Sequence, residues 1–176
     1  MKCLKATPYL LLLLTLPVFG QSIVELERKA SGGDVGSMLQ VAMRYYEGEV
    51  IRKNPVQAYQ WFRMAAENGN AEGMFALALM HTRGVGALQS SKEAARWALK
   101  AAELGHAHSQ YVVSVFYRRG DGIIKSFPDS VKWLHSAAMA GHRGAQMTLA
   151  QHYCKGDIVH RILCGLMPGS TLPMLR

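Results

Sequence analysis

The chain has 176 residues, 49% of them apolar and 9% aromatic, with a formal charge of +8. That length allows a single domain. The basic residues are scattered singly or in pairs such as Arg118–Arg119; this argues against a polybasic nucleic-acid patch and for a soluble basic surface, with weak attraction to anionic envelope polymers as the alternative.

The first element is a leader. Lys2 and Lys5 precede an apolar run from Tyr9 to Phe19, and Val18 and Gly20 stand at −3 and −1 of a cleavage point before Gln21. A basic start, a short apolar stretch and a small residue make a secretory signal peptide pattern over residues 1–20. An uncleaved anchor is the rival reading, but a span needs roughly 20 apolar residues, and Pro17 and Gln21 interrupt this one. No Cys follows the run, so a bacterial lipid anchor is not expected. The expected product is exported: periplasmic or secreted, or in the secretory lumen of a eukaryote.

From residue 21 to 156 the chain repeats itself every 36 residues. WFRMAAENG from Trp61 returns as WALKAAELG from Trp97 and WLHSAAMAG from Trp133. Further columns are Ala30, Ala66, Ala102, Ala138; Gly33, Gly69, Gly105, Gly141; Gly48, Gly84, Gly120, Gly156; Ala42, Ala78, Ser114, Ala150; and the rings Tyr45, His81, Tyr117, Tyr153. A lone helix at about 22–32 comes first. Full units follow at about 34–69, 70–105 and 106–141, then a half unit ending near Lys155.

Each unit divides into two helices. The first type, as in 35–47, carries Leu39, Ala42, Met43 and Tyr46 on one stripe, and Gly48 stops it. The second type opens on Asn54, Ser90 or Ser126, with Gln57, Glu93 or Asp129 three residues on, a capping-box spacing. Trp61, Ala65 and Ala66 then form a packing device: a bulky ring beside two residues small enough for close helix approach. Asp34 and Asn70 cap the next first-type helices. His106 and His142 hold that column later and are weaker caps. One pair cannot bury its own apolar face, so the pairs must stack. The expected fold is all-α: a right-handed α-solenoid of stacked antiparallel helix pairs, about eight helices in all, with a concave inner surface.

The pattern breaks in residues 157–176, where Pro168 and Pro173 would interrupt a second-type helix. Ile158, Val159, Ile162, Leu163, Leu166 and Met167 make this tail apolar. It is read as a cap folded back on the last helix, as an interface, or as the mark of a truncated or frame-altered array. With Cys3 in the leader, Cys154 and Cys164 form an even pair. In an oxidising compartment a disulfide between them contributes roughly 2–3 kcal/mol by the entropy model; two free thiols are the alternative.

No reaction centre is visible. GxSxG, HExxH, a Walker loop and CxxC are all absent. Gly120–Gly122 (GDG) has the short pattern of some metal or phosphate loops, but in the repeat family that the chain resembles (below) it fills the Gly-x-Gly turn. His106, His108 and His142 invite a zinc site across neighbouring units, but converging ligands and a supporting shell are not visible, so no metal and no cofactor is expected. His152 and Cys154, two apart, point to different helix faces. Met38, Met43, Met64, Met74, Met80, Met139 and Met147 fall largely in helices and read as core filling.

SQYVVSVFYRRGDG with SVKWLHSAAMAG, and ALALMHTRGVG with AARWALKAAELG, resemble the Sel-one-like repeat family, relatives of the tetratricopeptide repeats, over residues 24–156. The resemblance implies a superhelix that assembles proteins, often in envelopes or secretory pathways, with no catalytic residues to carry over. Some cysteine-rich relatives are linked to β-lactam binding; this chain lacks their cysteine in every repeat. By analogy with related repeats, first-type helices line the concave face. Met43, Tyr46, Phe75, Leu79, His108, Tyr111, Val115 and Arg118 are then the candidate contacts for a protein or peptide partner. Leu39, Phe75, Tyr111 and Met147 are bulky in every unit and read as partly core. The expected function is a non-enzymatic scaffold, with no nucleic acid bound and no stable membrane insertion after leader cleavage. The alternatives are a cell-wall or β-lactam hydrolase, or a binder of anionic envelope polymer.

Overall fold

The computed structural model describes residues 22–48 and 51–154, with side chains as far as His152. The leader, the 157–176 tail and the proposed Cys154–Cys164 bond lie outside the described residues. Eight helices follow one another: α1 (Ile23–Ser31), α2 (Val35–Glu47), α3 (Pro55–Glu67), α4 (Ala71–Arg83), α5 (Ser91–Glu103), α6 (Ala107–Arg119), α7 (Phe127–Met139) and α8 (Arg143–Cys154). Among the described residues there is no strand. Each helix packs against the next one in the chain, which gives the stacked-pair solenoid.

The helix boundaries are set by local chemistry that recurs every 36 residues. Asn54 Oδ1 accepts from the Gln57 amide, Ser90 Oγ from Glu93 and Ser126 Oγ from Asp129, each satisfying an orphan donor of a second-type helix. The backbone amides of the same three cap residues donate to the carbonyls of Tyr45, His81 and Tyr117, at 2.8, 3.1 and 3.0 Å. The ring column therefore ties the end of one helix to the start of the next. First-type helices α2, α4 and α6 end on left-handed Gly48, Gly84 and Gly120.

Small residues let the helices approach. Ala65, Ala66, Ala101, Ala102 and Ala137 are buried, and Trp97 is buried beside them. Trp61 and Trp133 are half-buried and pack on the same cores. A further column is Ser37, Gly73, Ser109 and Ala145, all buried. A Cβ on Gly73 would lie 3.0 Å from both the Ala65 Cβ and the Ala66 amide. Side chains larger than serine have no place at that crossing.

The methionines divide more evenly than core filling predicts. Met38, Met74 and Met80 are buried, but Met43, Met64, Met139 and Met147 are exposed. Met139 and Met147 lie on α7 and α8, the last pair of described helices, whose far side no other described helix covers.

Candidate functional site

The first-type helices carry the residues singled out from the sequence, and the structure distributes them over two grooves and a row of rings. Met43 and Tyr46 of α2 and Phe75 and Leu79 of α4 line one groove of about 240 Å³. Phe62 and Met80 also line it, and Glu47, Glu72 and Arg83 supply its charges. Arg83 reaches the Tyr46 hydroxyl at 3.4 Å, joining two successive units across it. Tyr111, Val115 and Arg118 of α6 line a second, much smaller cleft with Phe127, Leu134 and His152. His108 belongs to neither; its ring lies among those of Phe75, His106 and His142.

Leu39, Phe75 and Tyr111 are half-buried, whereas Met147 of the same column is 60% exposed. The expectation of a partly core column therefore holds for the first three positions and not for the fourth, where α8 has no following described unit.

The row of rings was not visible in the sequence. Phe75 sits 5.0 Å from His106, His106 stacks on His108 at 5.7 Å, His108 meets His142 edge-on at 4.9 Å, and His142 stacks on Tyr111 at 4.5 Å. His106 and His142 are held there by their backbone work. The His106 Nδ1 accepts from the Ser109 amide at 3.3 Å, and the His142 Nδ1 from the Ala145 amide at 3.1 Å. Glu72 Oε2 lies 3.1 Å from His106 Nε2. Burial and the neighbouring His108 hold the His142 imidazole below the usual histidine range. The 36-residue spacing of His106 and His142 was the available signal for these caps; the bridging by His108 depends on rotamers and had none.

Among the described residues no group of three or more His, Cys, Asp or Glu is arranged to hold a metal ion. His81, the odd member of the tyrosine column, is buried and occupied: Tyr59 Oη lies 3.2 Å from its Nε2 and the Leu88 carbonyl 3.1 Å from its Nδ1. Gly120–Gly122 (GDG) is a turn, with both glycines at positive φ. No described helix is long and apolar enough to cross a membrane.

The Sel1 repeat family model matches residues 35–70, 71–106 and 107–142. The chain belongs to the Sel1 repeat family. Its boundaries fall one residue after those read from the glycine columns. Among solved structures, a protective antigen of uropathogenic Escherichia coli with an SLR fold is similar at 33% identity and TM-score 0.74, over 78% of this chain and 30% of that one. The chain thus spans under a third of that antigen. A Sel1 repeat protein from Oxalobacter formigenes is similar at 29% identity and TM-score 0.68, over 73% of this chain and 97% of that one. Cysteine rich protein B of Helicobacter pylori shares the fold at 21% identity and TM-score 0.57, covering 73% of this chain and 98% of its own. No curated protein matches the chain. The Sel1 repeat is a scaffold fold that commonly mediates protein–protein interaction.

Proposed function

We propose that this Sel1 repeat chain is an exported, non-enzymatic scaffold that binds a protein or peptide partner on the face of its first-type helices. The observation that carries the reading is the α2–α4 groove. Met43, 45% exposed, lies there with Tyr46, Phe75 and Leu79, and Glu47, Glu72 and Arg83 supply charge. Apolar side chains beside charged ones suit partner recognition. At about 240 Å³ the groove is smaller than the roughly 300–1,000 Å³ usual for small-molecule sites and suits a large side chain of a partner. Rigidity comes from the stack, and specificity from side chains that differ between units, such as Tyr46, Thr82 and Arg118 of one column.

The test is capture from the native envelope or secreted fraction with the chain from Gln21 onward, beside a Met43→Lys/Tyr46→Ala variant. Circular dichroism must first show that the two fold equally. A partner enriched by the parent, lost by the variant and then bound in purified form supports the reading. A partner held equally by both places recognition elsewhere. Binding that collapses between 50 and 300 mM salt favours an anionic polymer over an apolar groove. Turnover of a cell-wall or β-lactam substrate would establish the hydrolase alternative. Export is tested separately, by whether the protein recovered from the envelope begins at Gln21.

A further inference from the structure

The N-cap column changes its chemistry along the stack. Asp34 caps α2 and Asn70 caps α4, both through side-chain oxygens. His106 caps α6 and His142 reaches the start of α8, both through an imidazole nitrogen. An oxygen of Asn accepts a hydrogen bond at any physiological pH. An imidazole Nδ1 accepts only while it carries no proton.

At His142 the larger effects oppose a proton: burial and the neighbouring His108 disfavour it, against a smaller backbone hydrogen bond at His142 itself that favours it. Its Nδ1 accepts from the Ala145 amide, so the neutral ring carries its hydrogen on Nε2. A proton on Nδ1 removes that acceptor and puts a positive charge against the positive end of the helix dipole. From α6, the ionisable groups facing the ring are His108 and Tyr111, in edge and stacked contact. From α7 the Ala137 carbonyl accepts from the His142 backbone amide at 2.9 Å. On its own helix the next residue is the cation Arg143. Among the described residues no salt bridge reaches His142; His106, by contrast, has Glu72 at 3.1 Å to offset the same charge.

Among the described helices α8 packs chiefly on α7, whereas α4 and α6 lie between two neighbours. Val131, Leu134 and Ala137 of α7 share a buried cluster with Ala145 and Leu149 of α8.

We propose that His142 is a pH-sensitive latch on α8: the neutral imidazole caps the helix, and its protonation in mildly acid medium loosens α8 from the Val131–Leu134–Ala137 face of α7. The sign follows from proton linkage. A histidine held below its ordinary range in the folded chain contributes stability above its unfolded pKa, and that stability is lost as pH falls through the folded one. The window therefore opens just below the ordinary histidine range.

The test is amide hydrogen exchange on the purified chain at steps between pH 7.5 and 5.0, expressed as protection factors, with NMR titration of the His142 ring in the same samples. Protection across α8 is expected to fall about five- to tenfold with acid, the loss of one cap, in step with the His142 titration. Protection across α2 and α4, capped by Asp34 and Asn70, is expected to hold. In His142→Asn the acid loss in α8 should vanish. Protection in α8 that is unchanged with pH, that falls at a pH where His142 does not titrate, or that falls equally in α4, overturns the latch. So does a folded His142→Asn chain with undiminished acid sensitivity. If that variant does not fold, agreement between the ring titration and α8 exchange in the parent decides the matter.

Discussion

The carbonyl oxygen of Ser91 occupies the place a Cβ on Gly122 would take, so the two backbones touch where the turn after α6 crosses the start of α5. The same relation holds one unit earlier between Gly86 and the Pro55 carbonyl. Both glycines also sit at positive φ, 73° at Gly86 and 71° at Gly122. Gly105 has a positive φ too, but no atom lies within 4 Å of its missing Cβ. Gly122→Ala and Gly86→Ala should therefore cost more than Gly105→Ala. The lone strain at Gly105 is worth about 1 kcal/mol; the added overlap should bring the others to about 3 kcal/mol. Urea unfolding of the three variants checks the order, and equal losses would show that the turn moves away freely.

A second prediction concerns alkali. The Tyr45 hydroxyl of α2 donates to Glu27 of α1 at 2.6 Å, and that bond, with some burial, raises the tyrosine above its ordinary value near 10. A folded-state pKa above the unfolded one stabilises the chain below the unfolded value and loses that contribution as pH rises through the folded one. Unfolding monitored from pH 8 to 11 should show stability falling beyond about 10. Tyr45→Phe should lower stability at pH 8 by about 1 kcal/mol, the loss of one hydrogen bond, and flatten part of the alkaline decline. Tyr117, raised chiefly by burial, adds to the decline.

The boundaries of α2 through α7 were legible because each end is fixed by residues within a few positions: Asn54 reaching Gln57, or Gly48 turning left-handed. The packing columns were legible because every full unit repeats the same crossing. The candidate site was less so. Tyr46 and Leu79 share a groove while Tyr111 and Val115 line another, a division set by the rotamers of neighbours such as Phe62 and Phe127. A period of 36 gives equivalent backbone positions, not equivalent surfaces. His108 and His142 meet across two units because both rings turn toward a shared edge. Gly122 reads as part of a turn in sequence, but its second task, and that of Gly86, making room for Ser91 and Pro55, needs the neighbouring helix in place.

His81 gives a third prediction. It replaces tyrosine in its column yet bridges α3 and the following loop through Tyr59 and the Leu88 carbonyl. Its ring meets Tyr59 edge-on at 5.5 Å. His81→Leu leaves both partners without their bond and should cost about 2–3 kcal/mol; Tyr59→Phe removes one bond and should cost about 1 kcal/mol. Because the two share that bond, the double variant should cost less than the sum, which a double-mutant cycle by thermal or urea unfolding measures. Strict additivity would show that the Tyr59–His81 contact contributes nothing.

The last prediction runs toward greater stability. Met38, Met74, Gln110 and Gln146 form one column, and the first three are buried. Gln110 donates through Nε2 to the Ala102 carbonyl at 3.2 Å, but its Oε1 is buried with no hydrogen-bond partner. The Ala102 carbonyl does not depend on it, since the Gly105 amide donates there at 3.0 Å. A buried acceptor without a partner costs about 1–3 kcal/mol, and methionine has nearly the same length with no such group. Gln110→Met restores the residue type of the two preceding units and should raise stability by about 1 kcal/mol. Gln146 makes the same bond to Ala138 at 3.1 Å but stands exposed, so Gln146→Met should change stability by less than about 0.5 kcal/mol. Urea unfolding of both variants separates the cases. A destabilised Gln110→Met chain would mean that the bond to Ala102 outweighs the orphaned oxygen.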